Sequence, residues 1–328
     1  MKQRILGNSG FKISEVGLGC WQLGADWGDS PSQEKAFEIL QASIDSGVNF
    51  FDTADVYGAG LSEKYIGEFL KSTGQNAVVA TKFGRNSEVF PDKYTESALR
   101  KSIESSCERL QVNSLDLLQL HCIPTEELRR GEIFNWLRKA KSEGVVKNFG
   151  ASVETVEEGL ICLKQEGLTS LQVIFNIFRQ KLLEELLPKA KEASAGIIVR
   201  LPLASGLLTG KFNSSTTFPV NDHRNYNRDG AAFNVGETFA GLPFEKGLEL
   251  ADHIKKELLP NDLNMVQLAL RWILDHEAVS TIIPGASTAS QAFANAAVSG
   301  IPSLSHNTHK ALQSFYSDQV KDYIRGPY

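Results

Sequence analysis

Four ionisable side chains stand at or just past the ends of apolar runs, and together they carry the groups that carbonyl reduction requires. The run Phe50–Phe51 stops at Asp52. Tyr57 follows in a loop holding Gly58 and Gly60, and Ser62 then opens a helical pattern. AVVATKFG puts Lys82 at the end of a second run, and LDLLQLHC puts His121 at the end of a third. A carboxylate at the end of a buried strand is costly unless it is paired or used. A Tyr with the ordinary pKa of about 10 gives up its proton near neutral pH only where the phenolate is stabilised. Lys82 is the ammonium to do that, and Asp52 would hold Lys82 charged and in place. His121 would donate a hydrogen bond to a substrate carbonyl. The set suits protonating a carbonyl oxygen while hydride arrives from a nicotinamide. Singly, each residue has a plainer role as turn cap, packing group or solvated charge; their common placement at strand ends favours one site.

Such a constellation needs a scaffold that gathers strand ends. Short apolar runs alternate with amphipathic helical patterns almost to the end of the chain. The strand candidates are Val16–Leu18, Asn49–Asp52, Ala77–Lys82, Asp116–His121, Val146–Ala151, Leu171–Asn176, Gly196–Leu201 and Thr281–Pro284. The spacing predicts helices over Gln33–Asp45, Ser62–Lys71, Thr95–Leu110, Glu126–Glu143, Glu154–Glu166 and Glu184–Ala193. Eight strands, each followed by a helix, indicate a (β/α)8 TIM barrel occupying residues 1–328 as a single domain. The active site then lies at the C-terminal strand ends. An open doubly wound sheet is the rival, but GLGCWQLG (Gly17–Gly24) is not G-x-G-x-x-G and does not lead directly into a helix. Arg4–Leu6 and Phe11–Ile13 flank Gly7-Asn8-Ser9-Gly10, a hairpin signal, and such a hairpin would plug the bottom of the barrel. Leu203–Leu242 is a long connection after the seventh strand, of the kind used for lids or binding loops. Asn264–Asp275 and Asn307–Ile324 read as helices outside the eightfold count.

Composition removes several alternatives. The 328 residues are 42% hydrophobic and 22% charged, an ordinary globular mixture. A net charge of −5 gives no reason to expect nucleic acid or an anionic membrane as partner. No apolar stretch approaches a membrane span, and the N-terminus lacks a signal-peptide core. Cys20, Cys107, Cys122 and Cys162 are widely spaced, which fits reduced thiols in a cytoplasmic protein and no metal site.

These motifs resemble the aldo-keto reductase family over nearly the whole chain, in the hairpin, GLGCWQLG, FDTADVYGAGLSE, ATKFG, LLQLHC, NFGAS, LQVIFN, PLASGLLTGK and IIPGAS. The resemblance assigns Asp52, Tyr57, Lys82 and His121 as the catalytic four and implies NADP(H) or NAD(H) bound in extended form on the barrel. It implies cofactor contacts at Gly19, Cys20, Trp21 and Asp52. Ser152 and Gln172 match the positions that bind the nicotinamide carboxamide, but Val153 stands where the family usually has Asn, a gap that Asn176 is expected to fill. Arg200, Pro202 and Leu203 occupy the strand-seven motif. Arg200 replaces the usual aromatic and is planar enough to stack. Unpaired, its charge would disfavour the oxidised ring relative to the reduced one. Ser205, Gly206, Leu207 and Lys211 resemble the pyrophosphate loop, and Gly285, Ser287, Gln291 and Asn295 the adenosine side. Neither Ser287 nor Gln291 is basic, so nothing there supplies charge for a 2′-phosphate; NADPH is the family default, and NADH use is open.

Trp21, Trp27, Tyr57, Phe83 and His121 are expected to line the substrate pocket, with Asp222, His223 and Arg224 in the long loop as polar candidates. The resemblance thus implies an oxidoreductase acting on an aldehyde, ketone or sugar-type carbonyl. An aldose 1-dehydrogenase is the alternative direction. A cofactor-sensing regulatory subunit, as some members serve potassium channels, is the alternative class. The sequence is silent on oligomeric state and names no partner beyond a small-molecule substrate.

Overall fold

In the computed structural model, residues 1–24 and 27–328 are described. Ten strands are present among them: β1 (Gln3–Ile5), β2 (Lys12–Ser14), β3 (Leu18–Gly19), β4 (Phe50–Asp52), β5 (Val78–Phe83), β6 (Leu115–His121), β7 (Val146–Ser152), β8 (Leu168–Ile174), β9 (Gly196–Arg200) and β10 (Val279–Ile282). Strands β3 to β10 form one parallel sheet in chain order. The two ends meet through parallel bridges Val16↔Ile282 and Gly19↔Gly285, so the sheet closes into a barrel with no free edge. The chain folds as a (β/α)8 TIM barrel with an N-terminal hairpin.

Strand alternation explains why the candidate residues converge. Side chains two apart share a face. Phe50 and Asp52, Ala80 and Lys82, Leu117 and Gln119, and Ile198 and Arg200 therefore form inward-facing pairs. The lower members, Phe50, Ala80, Leu117 and Ile198, pack with Leu6, Ile13 and Ile283 in a small core inside the barrel. The upper, polar members sit one pleat higher, at the mouth. The intervening residues Phe51, Phe83, Leu118, Leu120, Ile197 and Val199 belong to the larger core between barrel and helices.

The β1–β2 hairpin plugs the barrel floor through Leu6 and Ile13. Its turn approaches the strands so closely that a Cβ on Gly7, at φ +50°, would lie 2.3 Å from Thr169 O. Arg4 ties the plug to Glu15 and to the carbonyls of Leu274 and Val279, at 2.6–2.9 Å.

Several helices differ from the sequence expectation for identifiable reasons. The expected helix Glu126–Glu143 is two, Thr125–Arg130 and Glu132–Ser142, because Gly131 adopts a left-handed conformation between them. The helix expected from Glu154 starts at Val156, where Thr155 and Glu158 form a capping box. Met265–Leu274 packs directly on β10 and so takes a place in the outer ring; the added helix is Phe244–His253, which aromatic packing against Phe212, Phe218 and Phe239 secures. The last helix is regular only over His306–Phe315. The long seventh connection is built of short helical turns, at Ala204–Thr209, His223–Tyr226, Val235–Glu237 and Phe239–Gly241. No helix of the described residues is long and apolar enough to cross a membrane.

Candidate active site

At the barrel mouth the Lys82 ammonium has three acceptors, matching its three N–H donors. Nζ lies 2.6 Å from Asp52 Oδ1, 2.7 Å from Thr53 O and 3.3 Å from Tyr57 Oη. The Lys82 and Asp52 side chains are only 1% and 3% exposed, so the pair is out of bulk water. Because Tyr57 Oη accepts from Lys82, its own O–H is left to donate elsewhere. The loop carrying Tyr57 is held close: Thr53 Oγ1 donates to Ser62 Oγ, which donates to Cys20 O, both at 2.8 Å. Gly58, at φ +60°, lies against Gly24, where a side chain on either would strike backbone. Trp21 stacks on the Tyr57 ring at 5.8 Å, and His121 meets that ring edge-on at 6.0 Å.

Electrostatics assigns protonation states. Burial pushes the Tyr57 phenol up to about 12, more than the nearby Lys82 pulls it down, so it is a stored proton at neutral pH. Burial alone would lower Lys82, but Asp52 and Tyr57 outweigh it and hold Lys82 above its usual range. His121 is driven well below the imidazole range by burial and by Lys82, Arg85 and Arg200, so it is neutral and suited to hydrogen bonding rather than to carrying charge.

The second oxygen of Asp52 explains the orientation of the whole group. Gln119 Nε2 donates to Oδ2 at 3.0 Å and Gln172 Nε2 at 2.6 Å. Gln119 was not among the sequence candidates, although its position two before His121 on β6 places it on the same face. Behind the site, Glu63 accepts from Thr81 Oγ1 at 2.5 Å and from Arg109 Nε at 2.6 Å. Asp55, two residues before Tyr57, is partly buried with Oδ1 lacking a hydrogen-bond partner among the described residues. Burial, then Glu63, pushes its carboxyl up to about 7.

A cleft of about 1320 Å³, part of it open to solvent, runs from this group along one side of the mouth. Gly19, Cys20, Trp21, Trp27, Asp52, Tyr57, His121, Gln172 and Arg200 line its inner end. Pro202, Leu203, Ser205, Gly206 and Lys211 follow, and Gly285, Ser287, Gln291 and Asn295 lie at the far end. Ser205 and Gly206 take positive φ in succession, in a tight turn where Gly206 N–H donates to Leu203 O at 2.9 Å. The Arg200 Nε donor is buried with no partner among the described residues. A cleft lined from Asp52 and Tyr57 to Ser287 and Asn295, with an unpaired donor on Arg200, has room and polar groups for a dinucleotide.

Four sequence candidates do not line the cleft. Phe83 is 1% exposed and packs outward on Tyr94, because Lys82 takes the inward pleat of β5. Asn176 is fully buried and does not line the cleft; its amide donates to Leu201 O at 2.9 Å and accepts from Phe178 N at 3.0 Å. The Leu207 side chain is in the helix–barrel core. Ser152 is buried, with its hydroxyl 3.4 Å from Cys122 Sγ. Asp222 pairs with Arg224 at 2.5–2.8 Å and fastens the long loop, while Arg224, between the Trp27 and Phe218 rings, lines the cleft and His223 packs against Trp21 and Trp27. Arg200 has an acid partner: its Nη1 lies 3.2 Å from Glu237 Oε1, and Glu237 also faces Arg85, which pairs with Glu154 at 2.9 Å. The Glu237 charge offsets that of Arg200, weakening the repulsion expected for an oxidised ring. Nothing in the local sequence marked Glu237, which arrives from a distant loop.

Comparison with known proteins gives a consistent set of relatives. A family model described as the aldo/keto reductase family matches residues 15–317. The uncharacterised oxidoreductase YqkF of Bacillus subtilis is 30% identical over 98% of both chains. The L-galactose dehydrogenase of Arabidopsis thaliana is 31% identical over 92% of this chain and 89% of its own. The solved structure of the glycerol dehydrogenase AKR11B4 from Gluconobacter oxydans superposes with a TM-score of 0.80 at 29% identity, covering 99% of this chain and 98% of the other.

Two outcomes follow from the site. Gln119→Leu leaves Asp52 Oδ2 with one donor in place of two. A hydrogen bond to a charged group is worth about 1.5–3 kcal/mol, so kcat should fall at least about tenfold with dinucleotide affinity, read by calorimetry, unchanged. An unaltered kcat removes Gln119 from the machinery. The raised Asp55 carboxyl means the folded protein holds more protons than the unfolded chain between the usual carboxylate range and about pH 7. Stability therefore declines as pH rises through that window and levels off above it. Asp55→Asn should raise the melting temperature at pH 8 by more than at pH 5; an equal shift at both counts against the assignment.

Proposed function

Because the chain belongs to the aldo/keto reductase family, we propose that it interconverts an aldehyde or ketone and its alcohol, with Tyr57 as the proton donor. The observation that carries this reading is the 3.3 Å approach of Lys82 Nζ to Tyr57 Oη in a site shielded from water. A nicotinamide dinucleotide in the groove supplies the hydride. Tyr57 protonates the carbonyl oxygen as the carbon is reduced, and Lys82 stabilises the phenolate that develops. Asp52 keeps Lys82 charged, and the two amides of Gln119 and Gln172 keep Asp52 aimed at it. Neutral His121 donates to the same carbonyl oxygen and so orients the substrate. Trp21 and Trp27, in edge-to-face contact at 5.4 Å, wall the pocket and limit water. In the oxidative direction the same groups act in reverse, with Tyr57 accepting the alcohol proton.

Two observations narrow the substrate and cofactor. The flat faces of Trp21 and Trp27 beside a polar Arg–Glu pair suit a hydroxylated substrate, and the relatives named for glycerol and L-galactose act in that class. This supports a small hydroxy-carbonyl or aldose, with sugar oxidation as the second direction. At the adenosine end, residues 285–295 include no Lys or Arg. A 2′-phosphate there gains hydrogen bonds from Ser287 and Thr288 without a facing cation from this segment, so NADH should bind about as well as NADPH.

A panel of aldehydes, hydroxy-ketones and sugars with each cofactor tests the reading, with Tyr57→Phe as the control. The variant should lose about 10²–10⁴ in turnover while its dinucleotide affinity stays within about twofold. Turnover that survives the substitution excludes Tyr57 as the acid.

A further inference from the structure

Two departures from the family pattern, Val153 and Arg200, are 47 residues apart in sequence and meet at the inner end of the cleft. Arg200 Nη2 lies 3.5 Å from Val153 O and 3.5 Å from Cys122 Sγ. Its guanidinium thus reaches across from β9 to the ends of β6 and β7, beside the position where Val153 supplies no amide. Asn176, the other candidate for that contact, is fully buried and does not line the cleft. Resting on the dinucleotide reading above, we propose that Arg200 donates the hydrogen bond to the nicotinamide carboxamide oxygen that Val153 cannot make, and that Glu237 is the positioning residue that holds it there.

The hydrogen-bond accounting supports this division. A carboxamide presents two N–H donors and one oxygen acceptor. Gln172 has committed its NH2 to Asp52 and Gln119, so its carbonyl oxygen remains to accept from the carboxamide NH2. The carboxamide oxygen then needs a donor. Arg200 offers Nε, a buried N–H with no partner among the described residues, in a side chain that lines the cleft. Glu237 fixes the opposite edge of the guanidinium at 3.2 Å and is itself anchored, because Ser205 Oγ donates to Glu237 O at 2.9 Å. A planar guanidinium with one edge pinned presents its other donors in a fixed direction, which an ammonium on a flexible stem does not. The role differs from stacking on the ring face: it is an edge contact to one substituent.

The test compares three oxidised dinucleotides on the intact chain by calorimetry: the natural one, its 3-acetylpyridine analogue and an analogue whose pyridine carries no substituent. All three carry the same ring charge, so a general field effect of Arg200 cancels between them, and each variant serves as its own folding control. Arg200→Met should weaken the natural dinucleotide about tenfold. The acetyl analogue, which keeps the oxygen, should lose as much. The unsubstituted analogue should lose less than about twofold. Arg200→Lys should resemble Arg200→Met, and Glu237→Gln should give a smaller loss with the same dependence on the substituent. An equal penalty for all three ligands, or none for any, overturns the inference. A wild-type chain that binds no dinucleotide at all would instead overturn the reading on which it rests.

Discussion

The ion pair between Lys82 and Asp52, closed off from water inside the barrel mouth, is the constraint around which the site is arranged. Removing a carboxylate and an ammonium from water costs several kcal/mol per ion, recovered only when geometry and hydrogen bonding are complete. Here they are nearly so. Three acceptors face the ammonium, and Asp52 takes Lys82 on one oxygen and two glutamine amides on the other. The third N–H of Lys82 has only Tyr57 to go to. The arrangement that satisfies the buried charge is therefore also the one that leaves the Tyr57 proton aimed at the cleft.

The fold follows from that demand. Residues on β4, β5, β6 and β8 must meet within hydrogen-bond distance, and a closed parallel barrel brings their ends together. Alternation along each strand sets an apolar residue one pleat below each polar one, so Phe50, Ala80 and Leu117 seal the floor beneath Asp52, Lys82 and Gln119. The hairpin plug completes the seal from below. The apolar layer keeps the effective dielectric low around the charges, which strengthens the Lys82–Tyr57 interaction and keeps His121 neutral.

Much of this was legible in the sequence because period-two alternation and helix punctuation are local. The strands, the hairpin and the four strand-end residues carry local signals, and Asp52, Tyr57, Lys82 and His121 are gathered as the barrel requires. What was not legible depends on partners far apart in the chain. Phe83 follows Lys82 directly, yet adjacency puts it on the opposite face. Asn176 has the right chemistry, but the turn after β8 buries it away from the cleft. Glu237 lies in a long loop with no periodicity, and only the folded chain shows it beside Arg200 and Arg85. Gln119 was accessible in principle, since it shares the inward face with His121, but a lone glutamine carries no signal until Asp52 is seen beside it.

If Asp52 acts only through Lys82, their effects on the chemical step must not be independent. The most direct measurement is the single-turnover rate of hydride transfer in Lys82→Met, Asp52→Asn and the double variant. The double variant should be no slower than Lys82→Met alone, within about twofold, as expected for residues acting as one unit. Losses that multiply, so that the double variant falls by the product of the two single effects, would contradict it.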